Sequence, residues 1–131
     1  MSITVDQILD QAAQLIDRAP GLAKGTFRTG DGDQVCYCIL GAIHAAACEA
    51  LPHISYPQPG WEEREIARLQ VESNAVRATA AQLVSIDYPD TKNSESGRVS
   101  AWNDRLSTTK QDAVAILRAA ALARRGDRGS K

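Results

Sequence analysis

The stretch from Cys38 to Leu51 constrains the fold of this chain more than any other part of its sequence. Drawn as a helix at about 100° per residue, it carries apolar side chains over one broad side and small residues over most of the rest. The main apolar positions are Ile39, Leu40, Ile43, Ala46, Ala47, Ala50 and Leu51. Because a helix that is apolar nearly all round is usually buried, the stretch predicts a central helix surrounded by others.

Two segments on either side of this stretch have the spacing of amphipathic helices. The segment from Thr4 to Arg18 starts with a capping-box pattern, in which Gln7 follows Thr4 by three positions. The segment from Trp61 to about Ile86 is the longest helical pattern of the chain. Its 3–4 spacing predicts one stripe made of Ile66, Leu69, Ser73, Val76, Ala80 and Leu83.

A last helix is predicted from Thr108, with Gln111 as the partner in a second capping box. Its core stripe is Ala113, Val114, Ile116, Leu117, Ala120 and Ala121. A polar loop over residues 90–96 and a short helical turn over residues 97–104 are expected before it. Beyond the last helix, residues from about 126 to 131 are expected to form a flexible polar tail.

Two short β-prone pieces, Thr26–Thr29 and Gln34–Tyr37, flank a Gly-Asp-Gly-Asp turn and predict a small hairpin. An isolated hairpin is marginal in water, so this one must lie against helices. The predicted fold class is therefore mainly α, with about four helices around a central buried helix and a small β-hairpin after helix 1. With 131 residues, the chain is expected to form one domain over residues 1–131.

Charge and composition narrow the location and the partners. The formal net charge is −1, so broad nucleic-acid binding through a basic surface is not expected. No apolar run reaches the length of about 18 residues that a membrane span needs, and the N-terminus lacks the pattern of a signal peptide. Three cysteines are an odd number in a chain long enough to fold without disulfides. A cytoplasmic location is therefore expected.

Four side chains of metal-ligand type lie close together in sequence: Cys36, Cys38, His44 and Cys48. His44 and Cys48 are four positions apart, so they are neighbours on a helix. The spacing nevertheless matches no recognised zinc pattern, and free cysteine is often buried as a small hydrophobe. We therefore expect core cysteines, with no metal and no cofactor, and keep these four residues as weak metal candidates.

Nucleophilic catalysis would require a thiol beside a base. Cys38 is predicted near a helix N-terminus, where the dipole lowers a thiol pKa. On one helix, however, His44 points about 120° away from Cys38, so a direct hydrogen bond is expected only if Cys38 precedes the helix. The other histidine, His53, lies in the proline-rich connector over residues 52–60. No catalytic residue is assigned.

Trp102-Asn103-Asp104 has two interpretations. Tryptophan is costly to expose, and Asn and Asp readily bind loop backbone groups, so the three residues fit a buried anchor with a polar turn. They also fit a surface or pocket site. The proline-rich connector and the acidic start of the third helix add two aromatic residues, Tyr56 and Trp61, to the candidate binding set.

The order of "VCYCILGAIHAAA" and "AWNDRLSTTKQDAVAILRAAA" after an amphipathic helix resembles a family of small uncharacterised proteins from actinobacteria and their phages. The resemblance rests on a Cys-x-x-Gly-Ala segment, here Cys38, Gly41 and Ala42, and on the Trp-Asn-Asp segment. It implies no activity, because that family has no known function. It also implies that Cys38 and Gly41 serve packing at a helix start.

The leading hypothesis is a non-enzymatic cytosolic protein that binds another protein, as a phage or accessory actinobacterial factor. A homodimer stays an alternative, because complementary helix stripes serve a dimer interface as well as an internal core. The alternative function is a small enzyme or ligand-binding domain with a pocket near Cys38, His44 and Trp102–Asp104.

Overall fold

Helix α1 (Val5–Arg18) begins with the predicted capping box. The Thr4 Oγ1 accepts a hydrogen bond from the Gln7 N–H, and the Gln7 side chain accepts one from the Thr4 N–H. The computed structural model describes residues 3–86, 88 and 94–129, with side chains described as far as Gly126. On α1, the apolar face is buried against other helices through Ile8, Leu9, Ala12, Ala13 and Ile16.

The hairpin follows α1, as predicted, but is shorter than the β-prone pieces. Strand β1 (Arg28–Thr29) pairs antiparallel with β2 (Cys36–Tyr37), and Arg28 lies opposite Tyr37. A short 3₁₀ turn (Gly32–Gln34) connects them. The hairpin is bonded to the segment that follows α1, because the Ala23 N–H donates to the Tyr37 carbonyl at 3.1 Å.

Helix α2 (Ile39–Ala50) is the predicted central helix. It packs against α1, α3 and α4, and its largest side chains, Ile39 and Ile43, are fully buried. Cys38 is the N-cap, so the helix starts one residue after the predicted boundary.

Helix α3 (Trp61–Ser85) follows the exposed connector. Its predicted stripe is wrong in the N-terminal half, where Ile66 is 55% and Leu69 56% exposed. Ala80 and Leu83 are buried as predicted, and the helix also buries Arg68, Val71, Ala75 and Thr79. The neighbouring helices cover the side of α3 that carries Val71, Ala75 and Thr79, and this leaves Ile66 and Leu69 outside.

Helix α4 (Glu95–Asp104) replaces the short turn expected there, and Ser94 caps it by accepting from the Gly97 N–H. Residues 90–93 of the predicted polar loop lie outside the described part of the chain. Helix α5 (Lys110–Gly129) buries Ala113, Ile116, Leu117, Ala120 and Ala121 and packs on α1 and α3. It continues to Gly129, into the segment predicted as a tail.

The second capping box lies one residue later than predicted. The Thr109 hydroxyl accepts from the Asp112 N–H at 3.1 Å, and the Asp112 carboxylate accepts from the Thr109 N–H at 2.9 Å. Thr108 is buried and donates its hydroxyl to the Trp102 carbonyl. The predicted pair of Thr108 and Gln111 is therefore wrong, because tertiary contacts use the Thr108 hydroxyl at the end of α4.

The predicted fold class is confirmed: the described residues form five α-helices, with α2 in the centre and one small antiparallel hairpin after α1. The fifth helix is α4. Among the described residues, no helix combines the length and the apolar character that crossing a membrane requires.

Candidate functional site

The Cys-x-x-Gly and Trp-Asn-Asp segments meet at the N-terminus of α2. Asn103 is 1% exposed, and its Oδ1 accepts a hydrogen bond from the Ile39 N–H at 2.9 Å. Its Nδ2 donates to the Ala23 carbonyl at 2.9 Å. The first N–H groups of a helix have no partner within the helix. Asn103 therefore caps α2, although it lies 64 positions from Ile39 in the sequence.

Cys38 caps the same helix end from its own chain segment. Its Sγ accepts from the Gly41 N–H at 3.3 Å, and its N–H donates to the Phe27 carbonyl at 3.1 Å. Burial raises the pKa of the Cys38 thiol, and this outweighs the lowering by hydrogen bonds from Gly41 and Leu40. The thiol is therefore protonated at neutral pH, and its sulfur is occupied as the acceptor of the Gly41 N–H.

Lys24 fastens the end of α4 to the segment before the hairpin. Its ammonium group donates to the carbonyls of Asn103 and Thr108 at 2.7 Å each, and also to that of Arg105. Asp104 contributes from the other side, accepting from the Gly25 N–H at 2.9 Å. We call these contacts, together with those of Asn103 and Cys38, the α2 junction.

The three candidate binding residues of the Trp-Asn-Asp segment differ in their exposure to solvent. Trp102 is 6% exposed and Asn103 is 1% exposed, while Asp104 is exposed. The amide of Asn103 uses its donor and acceptor atoms inside the protein. This arrangement matches the anchor interpretation, and a binding role for these three residues stays a prediction.

Tyr56 and Trp61 form the other part of the candidate set. Their rings meet edge to face with centroids 5.4 Å apart. Tyr56 is 76% exposed, whereas Trp61 is half-buried as the first residue of α3. Only Tyr56 of this pair is therefore largely exposed, and a binding role for the two aromatic residues stays a prediction.

A different group of side chains forms a hydrogen-bonded series between α2 and α3. The His44 Nδ1 lies 2.7 Å from the Glu72 Oε1, and the His44 Nε2 lies 3.5 Å from the Cys48 Sγ. We call Cys48, His44 and Glu72 the thiol series. A thiol beside an imidazole that a carboxylate orients is the arrangement that nucleophilic catalysis uses.

An ion pair on α3 lies beside the thiol series. Arg68 pairs with Glu65, whose Oε1 is 3.5 Å from the His53 Nδ1. Burial raises the pKa of the Cys48 thiol, while the positive charge of Arg68 lowers it and the charges of Glu72 and Glu65 raise it. Arg68 is 9% exposed, and within the described ranges its buried Nε–H has no hydrogen-bond acceptor.

The four weak metal candidates are spread over three places. Cys36 lies on β2, Cys38 at the start of α2, and His44 and Cys48 on later turns of α2. All three cysteines are free thiols. Within residues 3–86, 88 and 94–129, no three His, Cys, Asp or Glu side chains are gathered in a way that could hold a metal ion.

The sequence contains a partial signal for the thiol series. The four-residue spacing of His44 and Cys48 places them on one helix face, and this spacing fits a thiol–imidazole pair as well as two metal ligands. Glu72 follows His44 by 28 positions, so no local pattern connects it to the pair. The predicted pocket joined His44 with Cys38, whereas the described contacts of His44 are with Cys48 and Glu72.

These features define a mainly helical fold with a polar junction at the start of α2 and a thiol–imidazole–carboxylate series between α2 and α3. The chain belongs to a family of unknown function, DUF6197, whose model matches residues 1–123. No curated protein and no solved structure matched the chain.

Proposed function

We propose that this chain is a non-enzymatic protein that acts by binding another protein through the outer face of α3. The cytoplasm of an actinobacterium, or of such a cell infected by a phage, is the proposed setting. The family resemblance supports that source, and the three free cysteines support a reducing compartment. The observation that carries the proposal is the exposure of Ile66 and Leu69 on a helix whose opposite side is packed.

The binding surface follows one stripe of α3. Successive positions three or four apart lie on one helix face, and we call this face the α3 outer surface: Glu62, Ile66, Leu69, Ser73 and Arg77. Ile66 and Leu69 are the large apolar members, at 55% and 56% exposure. Tyr56, at 76% exposure, lies near the N-terminal end through its contact with Trp61.

The shape and charge of this surface fit an amphipathic helix as the partner. A shallow groove lined by Ile66, Leu69 and Ser73 runs along this surface. A second groove beside Leu69 is lined by Val76 and Glu95. Helices pack by placing ridges into such grooves. Glu62 at the N-terminal end favours a partner helix with a basic residue facing it. Arg77 at the other end already pairs with Glu95 at 3.4 Å.

Site-specific photocrosslinking in an actinobacterial host tests this proposal. The full chain carries Leu69→p-benzoylphenylalanine, and we expect one crosslinked protein whose purified form binds the purified chain. The matched control is Leu106→p-benzoylphenylalanine, because Leu106 is 100% exposed and lies outside the α3 outer surface. That control is expected to give no such product.

A double variant tests whether the apolar ridge provides the affinity. Ile66→Glu with Leu69→Glu is expected to abolish binding of the purified partner and to leave the melting curve unchanged, because both side chains are largely exposed. Undiminished binding by this variant would contradict the proposal. A crosslink between two copies of the chain would instead assign the surface to a homodimer.

Ligand binding or catalysis is a second candidate function, and the thiol series is the observation that favours it. The predicted pocket around Cys38 and Trp102–Asp104 does not provide this series, because those residues contribute to the α2 junction. Any activity would therefore centre on Cys48 rather than Cys38.

A further inference from the structure

We propose that Cys48 is a nucleophilic thiol that reacts with hydroperoxides, with His44 as its general base and Glu72 as the residue that positions the imidazole. The proposal is independent of protein binding through α3. It rests on the geometry of the thiol series and on the buried guanidinium of Arg68 beside it.

The two contacts of His44 give each ring nitrogen a separate role. Its Nδ1 is 2.7 Å from a Glu72 oxygen, which accepts the Nδ1–H and leaves the Nε2 lone pair directed at Cys48. The Nε2–Sγ distance of 3.5 Å is within hydrogen-bond range for sulfur. Cys48 is half-buried and the His44 side chain is 59% exposed, so a small molecule reaches the thiol from solvent.

The charges around Cys48 favour a small uncharged reactant. Helix α3 contributes Glu65, Arg68 and Glu72, and α2 contributes His44. His53 reaches this group through Glu65. Two carboxylates repel an anionic electrophile, whereas hydrogen peroxide carries no charge and is small enough for a half-buried thiol.

The buried Nε–H of Arg68 is a second observation that supports oxidation of Cys48. It has no acceptor within the described residues, and an unsatisfied buried donor destabilises the folded state. The oxygen of a sulfenic acid on Cys48 is an acceptor for a charge-assisted hydrogen bond from a guanidinium N–H. Oxidation of Cys48 would therefore place a compatible group beside Arg68.

The reaction is a two-electron oxidation of sulfur. As the Sγ attacks one peroxide oxygen, the thiol proton passes to the His44 Nε2, the O–O bond breaks and an S–O bond forms. The leaving hydroxide takes the proton back from the imidazolium, giving water and a sulfenic acid. Sulfur is oxidised and the peroxide is reduced, so hydrogen peroxide is the only co-reactant.

Treatment of the full chain with hydrogen peroxide, followed by dimedone trapping and peptide mass spectrometry, tests the proposal. Cys36 is the internal control, because it is also half-buried but its Sγ contacts the Gln34 carbonyl instead of a histidine. We expect Cys48 to be trapped at least about tenfold faster than Cys36, since general-base assistance contributes about 10²–10⁴-fold at its best. Equal rates at the two cysteines would overturn the proposal.

Two variants and one matched control separate the proposed base and positioning roles from a merely structural role. His44→Gln is expected to bring the Cys48 rate down to that of Cys36, and the matched His53→Gln is expected to leave it unchanged. Glu72→Gln keeps the Cys48–His44 contact and is expected to give an intermediate rate, so it reports on the positioning role even if His44→Gln lowers stability. Undiminished rates in both His44→Gln and Glu72→Gln would overturn the assignment.

Discussion

Gly41 shows how one missing methyl group sets the position of the hairpin. A Cβ at this residue would lie 2.0 Å from the Phe27 carbonyl oxygen, a backbone atom that cannot swing aside. The close approach allows the Cys38 N–H to donate to that same carbonyl. Gly41→Ala is therefore expected to destabilise the fold by about 2 kcal/mol or more, although alanine favours helices by about 1 kcal/mol.

Urea denaturation of Gly41→Ala beside Gly126→Ala measures this effect. Gly126 is exposed near the C-terminal end of α5, and an added Cβ would have nothing within 4 Å. Only helix propensity acts at that position, so Gly126→Ala is expected to be neutral or stabilising by up to about 1 kcal/mol. Equal effects of the two substitutions would show that the Phe27 contact is unimportant.

The Cys38 thiol is expected to make the free energy of unfolding decrease at alkaline pH. Burial raises the pKa of its thiol in the folded state, so the folded chain holds this proton more tightly than the unfolded chain. The resulting stabilisation is complete below the unfolded pKa of about 8.5 and is lost as pH rises through the folded pKa. The free energy of unfolding is therefore expected to fall above about pH 8.5.

Cys38→Ser removes this titration and keeps an oxygen that accepts the Gly41 N–H. We expect a shallower alkaline decline in urea denaturation from pH 7 to 10 than in the wild type. Part of the decline is expected to persist, because burial also raises the pKa of Cys48. Cys36→Ser is the control and should follow the wild-type curve. Identical curves for Cys38→Ser and the wild type would rule out this role.

At the scale of elements, α3 carries two leucines with opposite environments. Leu83 is fully buried, whereas Leu69 is 56% exposed. Leu83→Ala is expected to lower the free energy of unfolding by about 2–5 kcal/mol, because it removes buried methyl groups and leaves a cavity. Leu69→Ala is expected to change it by less than about 1 kcal/mol. Thermal unfolding of both variants measures the difference, and a reversed order would mean that the other side of α3 is packed.

The elements also show where local patterns are sufficient. The capping box of Thr4 and Gln7 was predicted correctly because both hydrogen bonds join residues three positions apart. The box at α5 was shifted by one residue, since Thr108 donates instead to the Trp102 carbonyl, six positions away. The predicted buried stripe on α3 is wrong in its N-terminal half for a related reason. A long helix offers residues at 3–4 spacing on more than one side, and only the neighbouring helices decide which side is buried.

At the scale of the whole molecule, Asn103 joins three segments that are far apart in sequence. Its amide connects α4 to the Ile39 N–H and to the Ala23 carbonyl. Asn103→Ala leaves both backbone groups without this partner and is expected to cost about 2–5 kcal/mol. Asp104→Asn is the matched control, because an amide oxygen still accepts the Gly25 N–H, and its effect is expected to stay below about 1 kcal/mol.

Guanidinium or urea denaturation, followed by circular dichroism, measures the free energy of unfolding of Asn103→Ala and of Asp104→Asn. The loss in Asn103→Ala is expected as a lower midpoint with an unchanged slope, because the folded chain still buries the same helices. A midpoint within error of Asp104→Asn would show that the α2 junction contributes little to stability.

Sequence alone determined the helical class, the central apolar helix and the hairpin, because each depends on periodicity or turn chemistry within a few residues. Tertiary structure decided which face of α3 is buried and why Asn103 is needed, since its partners lie 64 and 80 positions away. It also decided that His44 meets Glu72, which follows it by 28 positions on the next helix. Helix packing brings these residues together, and a sequence pattern within a few positions cannot predict contacts between residues so far apart in the chain.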